Sequence, residues 1–257
     1  MTVRLHLKIN KERMSDQTNL SRIRVVLVET SHPGNIGASA RAMKVMGLDK
    51  LYLVRPKFFP HPDATAMASG ALDVLENAIS CETLSDALVG TVYSIATTAR
   101  ERELSHQVFP VREAATRALS KTLSGDVAIV FGPERTGLSV KDASLTSVLS
   151  RIPTGSSYAS LNLGQAVQVF AYELLMALNL DTDYQSKNNL SELARHEDIE
   201  LMFEHMEDVL LEIDFLNEKN PGKLVQRLRR MFARIHLEKD EVGILRGILG
   251  AIQKKRR

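Results

Sequence analysis

Short runs of β-branched and other apolar residues recur along the first part of the chain, separated by polar loops. A strand that is covered on both faces of a sheet is apolar at consecutive positions, so these runs predict buried strands. The predicted strands are residues 23–28, 51–54, 92–96, 127–131 and 148–152.

Between these runs, apolar residues recur at the spacing of a helix. The predicted helices are residues 36–46, 64–69, 84–89, 111–119 and 160–180. The first of them stops at Gly47, a residue type favoured just after a helix end. Strands that alternate with helices predict an α/β fold, a parallel sheet with helices on both faces, whose ligands bind in loops beyond the carboxyl ends of the strands.

The two ends of the chain have a different pattern. Residues 1–21 are polar and show no periodic apolar face, which predicts a flexible N-terminal extension to a domain of residues 22–180. Residues 181–195 are polar and are expected to form a linker. Residues 196–257 carry three apolar stripes at helical spacing, which predict a small all-α C-terminal module.

Composition narrows the class of protein. The single cysteine excludes an intrachain disulfide and a zinc site with several thiolates, and no cluster of His, Cys and carboxylates has metal-ligand spacing, so no metal is expected. No apolar run approaches the roughly 18 residues of a membrane span, and the first residues lack the features of a signal peptide. A cytoplasmic location is therefore expected.

The distribution of charge says more than the net charge of +2. Residues 197–218 contain nine acidic residues and no Lys or Arg, whereas residues 219–257 contain twelve Lys or Arg and three acids, an excess of nine positive charges. Charge balance between packed helices accounts for part of this pattern. The remainder predicts an exposed basic surface in residues 196–257 that contacts the phosphate backbone of RNA.

The loop after the first strand leads into the segment Asn35-Ile36-Gly37-Ala38-Ser39-Ala40-Arg41. Asn35 is predicted to cap the following helix. Arg41 is predicted to lie in its first two turns, where the helix dipole disfavours a positive charge. An arginine there suits an external partner such as a phosphate, and a solvated helix arginine is the alternative.

Two later segments have the composition of ligand loops. Phe131-Gly132-Pro133-Glu134-Arg135-Thr136-Gly137-Leu138 follows a strand directly, although an ordinary turn explains it equally well. It is neither a dinucleotide fingerprint nor a phosphate-binding P-loop. Tyr158-Ala159-Ser160-Leu161-Asn162-Leu163-Gly164-Gln165-Ala166 precedes the long helix, and helix capping alone would explain Ser160.

Together the three segments resemble the motifs of the SPOUT class of RNA ribose 2′-O-methyltransferases. The matching patterns are Asn-x-Gly-x-x-x-Arg, Phe-Gly-x-Glu-x-x-Gly-Leu and Ser-Leu-Asn-x-x-x-Ala, in this order. Over residues 22–257 the chain is similar to the TrmJ type, which methylates the ribose of a pyrimidine, cytidine or uridine, at nucleotide 32 of the tRNA anticodon loop.

The resemblance implies a fold, a cofactor and a partner. The α/β domain is expected to end in a deep trefoil knot, to bind S-adenosyl-L-methionine without a metal, and to form a homodimer with composite active sites. The cofactor-binding residues carried over from the family are Thr97, Thr98, Ala99, Gly132, Ile152, Ala159, Ser160 and Leu161.

The resemblance also assigns catalytic residues. Arg41 is expected to act on the ribose hydroxyl, and Asn35, Glu134, Ser160 and Asn162 are expected to orient Arg41, the ribose or the cofactor. Because a guanidinium is normally protonated and cannot accept a proton, stabilisation of the developing alkoxide is the simpler role for Arg41. A ribosomal RNA methyltransferase of the same class and a catalytically silent RNA-binding relative are the alternatives.

Overall fold

The computed structural model describes residues 20–99, 107–155, 160–180, 192–216 and 222–256. The predicted N-terminal extension and most of the predicted linker lie outside these residues. Leu20, two residues before the predicted start of the domain, is buried in the hydrophobic core.

Within the described residues, seven parallel strands form the sheet of the large domain. Their order across the sheet is β3-β2-β1-β6-β4-β7-β5. The strands are β1 Ile23–Val28, β2 Lys50–Val54, β3 Ile79–Cys81, β4 Thr91–Thr97, β5 Val108–Pro110, β6 Asp126–Phe131 and β7 Val148–Arg151. The five predicted strands are all present; β3 and β5 were not predicted.

Helices cover both faces of this sheet, as predicted. The described helices of the domain are α1 Pro33–Val45, α2 Pro62–Ala68, α3 Leu72–Glu76, α4 Leu84–Leu88, α5 Val111–Thr122, α6 Val140–Ser144 and α7 Leu163–Leu180. Alternate residues of each strand point to opposite faces. Leu27 of β1 accordingly packs in the core under α1, α5 and α7, and Val28 packs in the core under α4 and α6.

The ends of α1 and α7 correct three predictions. α1 begins at Pro33 after His32, so Asn35 lies inside the first turn and does not cap the helix. Arg41 is the ninth of its thirteen residues and lies beyond the first two turns, so the argument from an unfavourable dipole was wrong. α7 begins at Leu163, and Asn162 replaces Ser160 as the residue that caps it.

The described part of the small C-terminal module consists of three helices, which confirms its predicted all-α character. They are α8 His196–Glu212, α9 Gly222–Ala233 and α10 Lys239–Arg256. Their core contains Met202, Phe203 and Val242, and Phe203 packs edge-on against Phe232 at 5.8 Å between ring centroids.

The module contacts the amino ends of the strands. Glu197 accepts a hydrogen bond from the backbone N–H of Gly90 at 2.8 Å, and Ser85 Oγ lies 3.2 Å from His196 Nε2. His236 packs edge-on against the buried Tyr93 at 5.1 Å between ring centroids. Burial, aided by Lys121 and Arg117, lowers the pKa of His236 to about 4, so this imidazole is neutral at pH 7.

Candidate functional site

A cavity of about 370 Å³ opens at the carboxyl ends of β4, β6 and β7. Parallel sheets place ligand sites at this edge. Three segments surround the cavity: the end of β4, the loop after β6, and the chain on either side of the start of α7. Its volume lies within the range of about 300–1,000 Å³ typical of small-molecule sites.

The cavity gathers the residues that sequence reasoning assigned to the cofactor. Its lining includes Thr97, Thr98, Ala99, Gly132, Ile152, Ser160 and Leu161. Ala159, the remaining predicted residue, lies outside the described residues. Apolar side chains of Phe131, Leu138, Leu149 and Leu163 form much of the wall, and threonine hydroxyls and backbone groups supply polarity.

Gly132 is needed for the shape of the loop itself. A Cβ atom at this position would overlap the backbone nitrogen of Leu138, which returns across the loop, and would lie 2.6 Å from the carbonyl carbon of Gly137. Gly137 has a φ of +66°, a conformation that favours glycine. The two glycines therefore hold the loop folded back on itself beside the cavity.

Glu134 links this loop to the start of α1. Its carboxylate accepts hydrogen bonds from the Ser31 N–H at 3.1 Å, the Ser31 hydroxyl at 2.9 Å, the His32 N–H at 3.3 Å and Asn35 Nδ2 at 2.8 Å. Burial acts to raise the pKa of this carboxyl, but the hydrogen bonds from Asn35 and Ser31 outweigh it and the pKa falls below 4.5. Glu134 is therefore ionised at neutral pH.

Asn162 extends the network to α7. Its Nδ2 donates to Asn35 Oδ1 at 2.9 Å, and its own Oδ1 accepts from the backbone N–H of Gly164 at 2.9 Å. One asparagine thus caps α7 and holds α7 against α1. Gly164 permits this approach, because a Cβ there would lie 2.8 Å from the Cβ of Ala38.

The structure brings four of the five predicted catalytic residues to this region and leaves Arg41 apart from them. Asn35, Glu134 and Asn162 form one hydrogen-bonded chain, and Ser160 lines the cavity beside Glu134. Arg41 is exposed on α1, and within the described residues it makes no hydrogen bond or ion pair. Ser31 was not predicted as a site residue. It lies 103 positions before Glu134 in the sequence, so no local pattern indicates that the two side chains meet.

Across the described segments, no group of three or more His, Cys, Asp or Glu side chains is arranged to hold a metal ion. In the same segments, no helix combines the length and apolarity that crossing a membrane requires.

Family comparisons match two parts of the chain. The SpoU rRNA Methylase family matches residues 22–172, and the C-terminal domain of the tRNA methyltransferase TrmJ matches residues 197–257. A tRNA (cytidine/uridine/adenosine-2′-O-)-methyltransferase TrmJ of Pseudomonas aeruginosa is 44% identical, over 91% of this chain and 95% of its own length. The tRNA (cytidine/uridine-2′-O-)-methyltransferase TrmJ of Escherichia coli is 40% identical, over 92% of this chain and 97% of its own length.

Solved structures give the same result. A crystal structure of TrmJ from Z. mobilis ZM4 superposes with a TM-score of 0.79 at 31% identity and covers 90% of this chain and 98% of that one. A probable methylase family protein from Haemophilus influenzae superposes with a TM-score of 0.62 at 36% identity, over 92% of this chain and 97% of that one.

Proposed function

This chain belongs to the SpoU rRNA methylase family, and we propose that it transfers a methyl group from S-adenosyl-L-methionine to a ribose 2′-oxygen of tRNA, at the pyrimidine of nucleotide 32. The strongest support is the position of Glu134. This residue lines the cavity and also accepts a hydrogen bond from Asn35, which in turn is bonded to Asn162. The match of residues 197–257 to the TrmJ C-terminal domain favours tRNA over ribosomal RNA.

The cavity fits the cofactor of this family. The cofactor supplies an electrophilic methyl group on a sulfonium, and the chain must hold that group in line with the attacking oxygen. Apolar walls from Phe131, Leu138 and Leu149 suit an adenine ring. The backbone of residues 97–99, Gly132 and the segment before α7 would hold the polar parts of the molecule, which explains why the loops are built on close backbone approach.

The network of Glu134 would position these loops relative to α1. A carboxylate with several donors has a fixed orientation, and charge-assisted hydrogen bonds are stronger than neutral ones. Holding two reactants in line is a large part of the acceleration of such a transfer. Asn35, Glu134, Asn162 and Ser160 would therefore act by positioning, since a carboxylate with a lowered pKa and an amide are weak bases.

Arg41 would act on the ribose. A guanidinium has no atom that can accept a proton in its ordinary form, so we assign Arg41 to the negative charge that develops on the 2′-oxygen and to the adjacent phosphate. Its exposure on α1, without a partner among the described residues, leaves it available for an external anion.

We further propose that the enzyme is a homodimer in which Arg41 serves the cavity of the partner subunit. Among the described residues, the network of Glu134 does not reach Arg41, so a composite site would bring Arg41 to the cavity of the other protomer. Exposed apolar residues beside Arg41 and on α7 support a contact surface here: Val45 is 65% exposed and Tyr172 is 46% exposed.

The order of strands supports the trefoil knot. β7 hydrogen-bonds to both β4 and β5, although β4 and β5 are consecutive in sequence. β7 therefore lies between two strands that the β4–β5 connection joins in sequence. We propose that the chain threads that connection, a rare topology that places three chain segments around one cavity.

We propose that residues 196–257 bind the body of the tRNA, and a tRNA substrate fits the cytoplasmic location expected from the sequence. Part of the basic excess is used internally: Arg229 pairs with Glu200 at 2.6 Å and lies over the ring of Phe203 at 4.5 Å. Arg227 on α9 and Arg234 in the turn that follows α9 are exposed and suit phosphate contacts.

Methyl transfer to purified RNA tests the proposal. The full chain, radiolabelled S-adenosylmethionine and total tRNA should give labelled tRNA, with the label at the ribose of nucleotide 32 after nuclease mapping. Labelling of ribosomal RNA in place of tRNA would select the alternative substrate, and no labelling of either would indicate an RNA-binding relative without activity.

A further inference from the structure

The loop of residues 55–61, between β2 and α2, presents an exposed aromatic side chain. Phe58 is 55% exposed, whereas its neighbour Phe59 packs against the hydrophobic core. The ring of His61 lies beside that of Phe58, at 6.4 Å between centroids and an angle of 57°. Lys57 is also exposed, and its ammonium group makes no hydrogen bond or ion pair within the described residues. The loop therefore displays two rings and one unpaired cation.

Both ends of this loop are held by contacts to the rest of the domain. Arg55 donates to the Glu29 carboxylate at 2.7 Å and to the Glu82 carbonyl oxygen at 2.6 Å. Arg55 and Glu29 have positive φ values, 44° and 49°, which are costly for non-glycine residues and persist where surrounding contacts hold them. At the other end, His61 Nδ1 accepts from the Asp63 N–H at 3.1 Å. The exposed ring is therefore presented by an anchored loop.

The anchored loop lies beside the candidate active site. It follows β2 at the carboxyl edge of the sheet, and β1 separates β2 from β6, so the ends of β2 and β6 are about 10 Å apart. The Lys57 N–H donates to the carbonyl oxygen of Thr30 at 3.0 Å. Ser31, the next residue, donates to Glu134 in the cavity wall. The loop is therefore close enough to the cavity to contact a nucleotide next to the one that is methylated.

We propose that Phe58 stacks on an unpaired base that neighbours the target nucleotide, with Lys57 against the adjoining phosphate, an inference that rests on the proposed function. Unpaired loop bases are available for stacking, and every base has a flat aromatic face. The exposed surface of one ring suits a single base better than a protein, whose stable contact buries roughly 800 Å² per partner. A base held on this loop would fix the path of the RNA past the cavity and help to align the 2′-oxygen with the methyl group.

Substitutions at Phe58 in the full chain test the stacking. Loss of one stacked base weakens binding by about 5- to 100-fold, so the affinity of Phe58→Ala for tRNA should fall by a factor in this range. Phe58→Leu, which is apolar but not planar, should lose nearly as much, whereas Phe58→Trp should bind as the wild type does. Thermal unfolding and the affinity for S-adenosylmethionine should be unchanged in all three. Wild-type affinity of Phe58→Ala or of Phe58→Leu would overturn the proposal.

Lys57→Gln tests the contact with the phosphate. The slope of log affinity for tRNA against log salt should fall by about 0.7, the value for one phosphate of a single strand. Lys44→Gln is the control, because Lys44 is already paired with Asp73 at 2.6 Å and its loss should leave the slope unchanged. The same slope in both variants would refute the role of Lys57.

Fluorescence gives a direct reading of the contact, because the chain contains no tryptophan. Addition of tRNA should quench the emission of the Phe58→Trp variant, since a stacked base would touch the indole. Leu123→Trp, at a position that is 57% exposed just after α5, is the control and should be quenched little. Equal quenching of the two variants would contradict the proposal. Shielding of the Phe58→Trp indole from a soluble quencher before RNA is added would also contradict it, and would indicate that a protein chain covers this surface.

A tRNA with an abasic residue on one side or the other of nucleotide 32 identifies the stacked base. One of the two RNAs should bind the wild type as weakly as intact tRNA binds Phe58→Ala. Combining that RNA with Phe58→Ala should cause no further loss, since both changes remove the same contact, and losses that multiply would disprove the pairing. Methyl transfer by the wild type is measured alongside. If the wild type modifies tRNA and the Phe58 variants bind normally, this inference alone fails, whereas a wild type that modifies no tRNA contradicts the proposed function.

Discussion

At the scale of single residues, the proposed division of labour is between Arg41 and the Glu134 network. Arg41 lies outside the cavity that we assign to the cofactor, and Lys44, one turn further along α1, is already paired with Asp73 at 2.6 Å. The two cations on α1 therefore have different environments. Arg41 has no partner among the described residues and can bind an external anion, whereas the charge of Lys44 is neutralised by Asp73.

Arg41→Ala should therefore abolish most methyl transfer while leaving cofactor binding intact. Loss of one preorganised group that stabilises the developing charge typically lowers kcat by about 100- to 1,000-fold. Calorimetry should find the affinity for S-adenosylmethionine within about two-fold of the wild type, since Arg41 is assigned to the ribose. Lys44→Ala is the matched control and should keep nearly full turnover; similar activity of the two variants would contradict the assignment.

Glu134 should contribute to stability only where it is ionised. The pKa of Glu134 in the folded protein is below 4.5. Its contribution to the free energy of unfolding is therefore fully present above the pKa of the unfolded chain and is lost as the pH falls through the pKa of the folded protein. The free energy of unfolding of Glu134→Gln should be about 1–2 kcal/mol below that of the wild type at pH 7, because several charge-assisted hydrogen bonds are weakened. Denaturant titrations should show this gap constant from pH 8 to about 5 and narrower below pH 4.5; a gap that widens in acid would refute the role of the carboxylate.

Sequence alone could identify these residue types but not their contacts. Glu134 and Asn162 stand out because the loop and helix-start patterns are local. The bond from Asn35 to Glu134 joins residues 99 positions apart, and nothing in a local pattern encodes it. Arg41 was placed too close to the helix start because Pro33 and Gly34 were assigned to the preceding loop, whereas proline is well suited to the first turn of a helix.

At the scale of elements, the strands that were predicted are segments of four to six residues with at least three apolar residues each. β3 and β5 have three residues each, lie at the two edges of the sheet and are partly exposed. An edge strand forms because a neighbour offers hydrogen bonds, and that neighbour is not visible in its own sequence. The short helices α3 and α6, of five residues each, were not predicted either.

The packing of α1 on α2 depends on Gly37. A Cβ at this position would overlap the carbonyl oxygen of Ala64 and lie 2.9 Å from the nitrogen of Ala68. Backbone atoms cannot rotate away, so Gly37→Ala should displace α2 and lower the free energy of unfolding by about 1–3 kcal/mol, the usual cost of overpacking. The intrinsic helix preference for alanine would act in the opposite direction and is smaller.

Gly34→Ala is the matched control on the same helix. Its added Cβ would meet only Met67 Cγ at 3.5 Å, an ordinary contact. Thermal unfolding of the two variants should therefore separate clearly, with Gly34→Ala at or above the wild-type midpoint. Equal midpoints would show that α2 yields easily and that α1 and α2 are not tightly packed.

At the scale of the whole molecule, the cavity and the C-terminal module lie at opposite edges of one sheet. The cavity is beyond the carboxyl ends of the strands, whereas Gly90 and Tyr93, which contact the module, are at the amino end of β4. In the homodimer that we propose, a tRNA held by the module of one protomer would therefore more readily present its anticodon loop to the cavity of the partner. Removal of the module would also uncover the buried Tyr93, so point variants test RNA binding more cleanly than truncation after Leu180.

Arginines on α9 and just after it offer such variants. Arg227 and Arg230 share a side of α9 by periodicity, and Arg234 follows in the next turn. Arg229, in contrast, points into the module and pairs with Glu200. Changing these three arginines to glutamine should weaken tRNA binding and make its dependence on salt shallower. The slope of log affinity against log salt should fall by about 0.9 for each phosphate that the protein no longer neutralises.

Lys239→Gln is the control, because Lys239 Nζ already lies 3.4 Å from Glu192. Binding isotherms between about 50 and 200 mM salt should distinguish the triple variant from Lys239→Gln, and the affinity for the cofactor should be unchanged in both. An unaltered salt slope in the triple variant would contradict the proposal that these arginines contact RNA. The domain of residues 22–180 would then be the main RNA-binding surface.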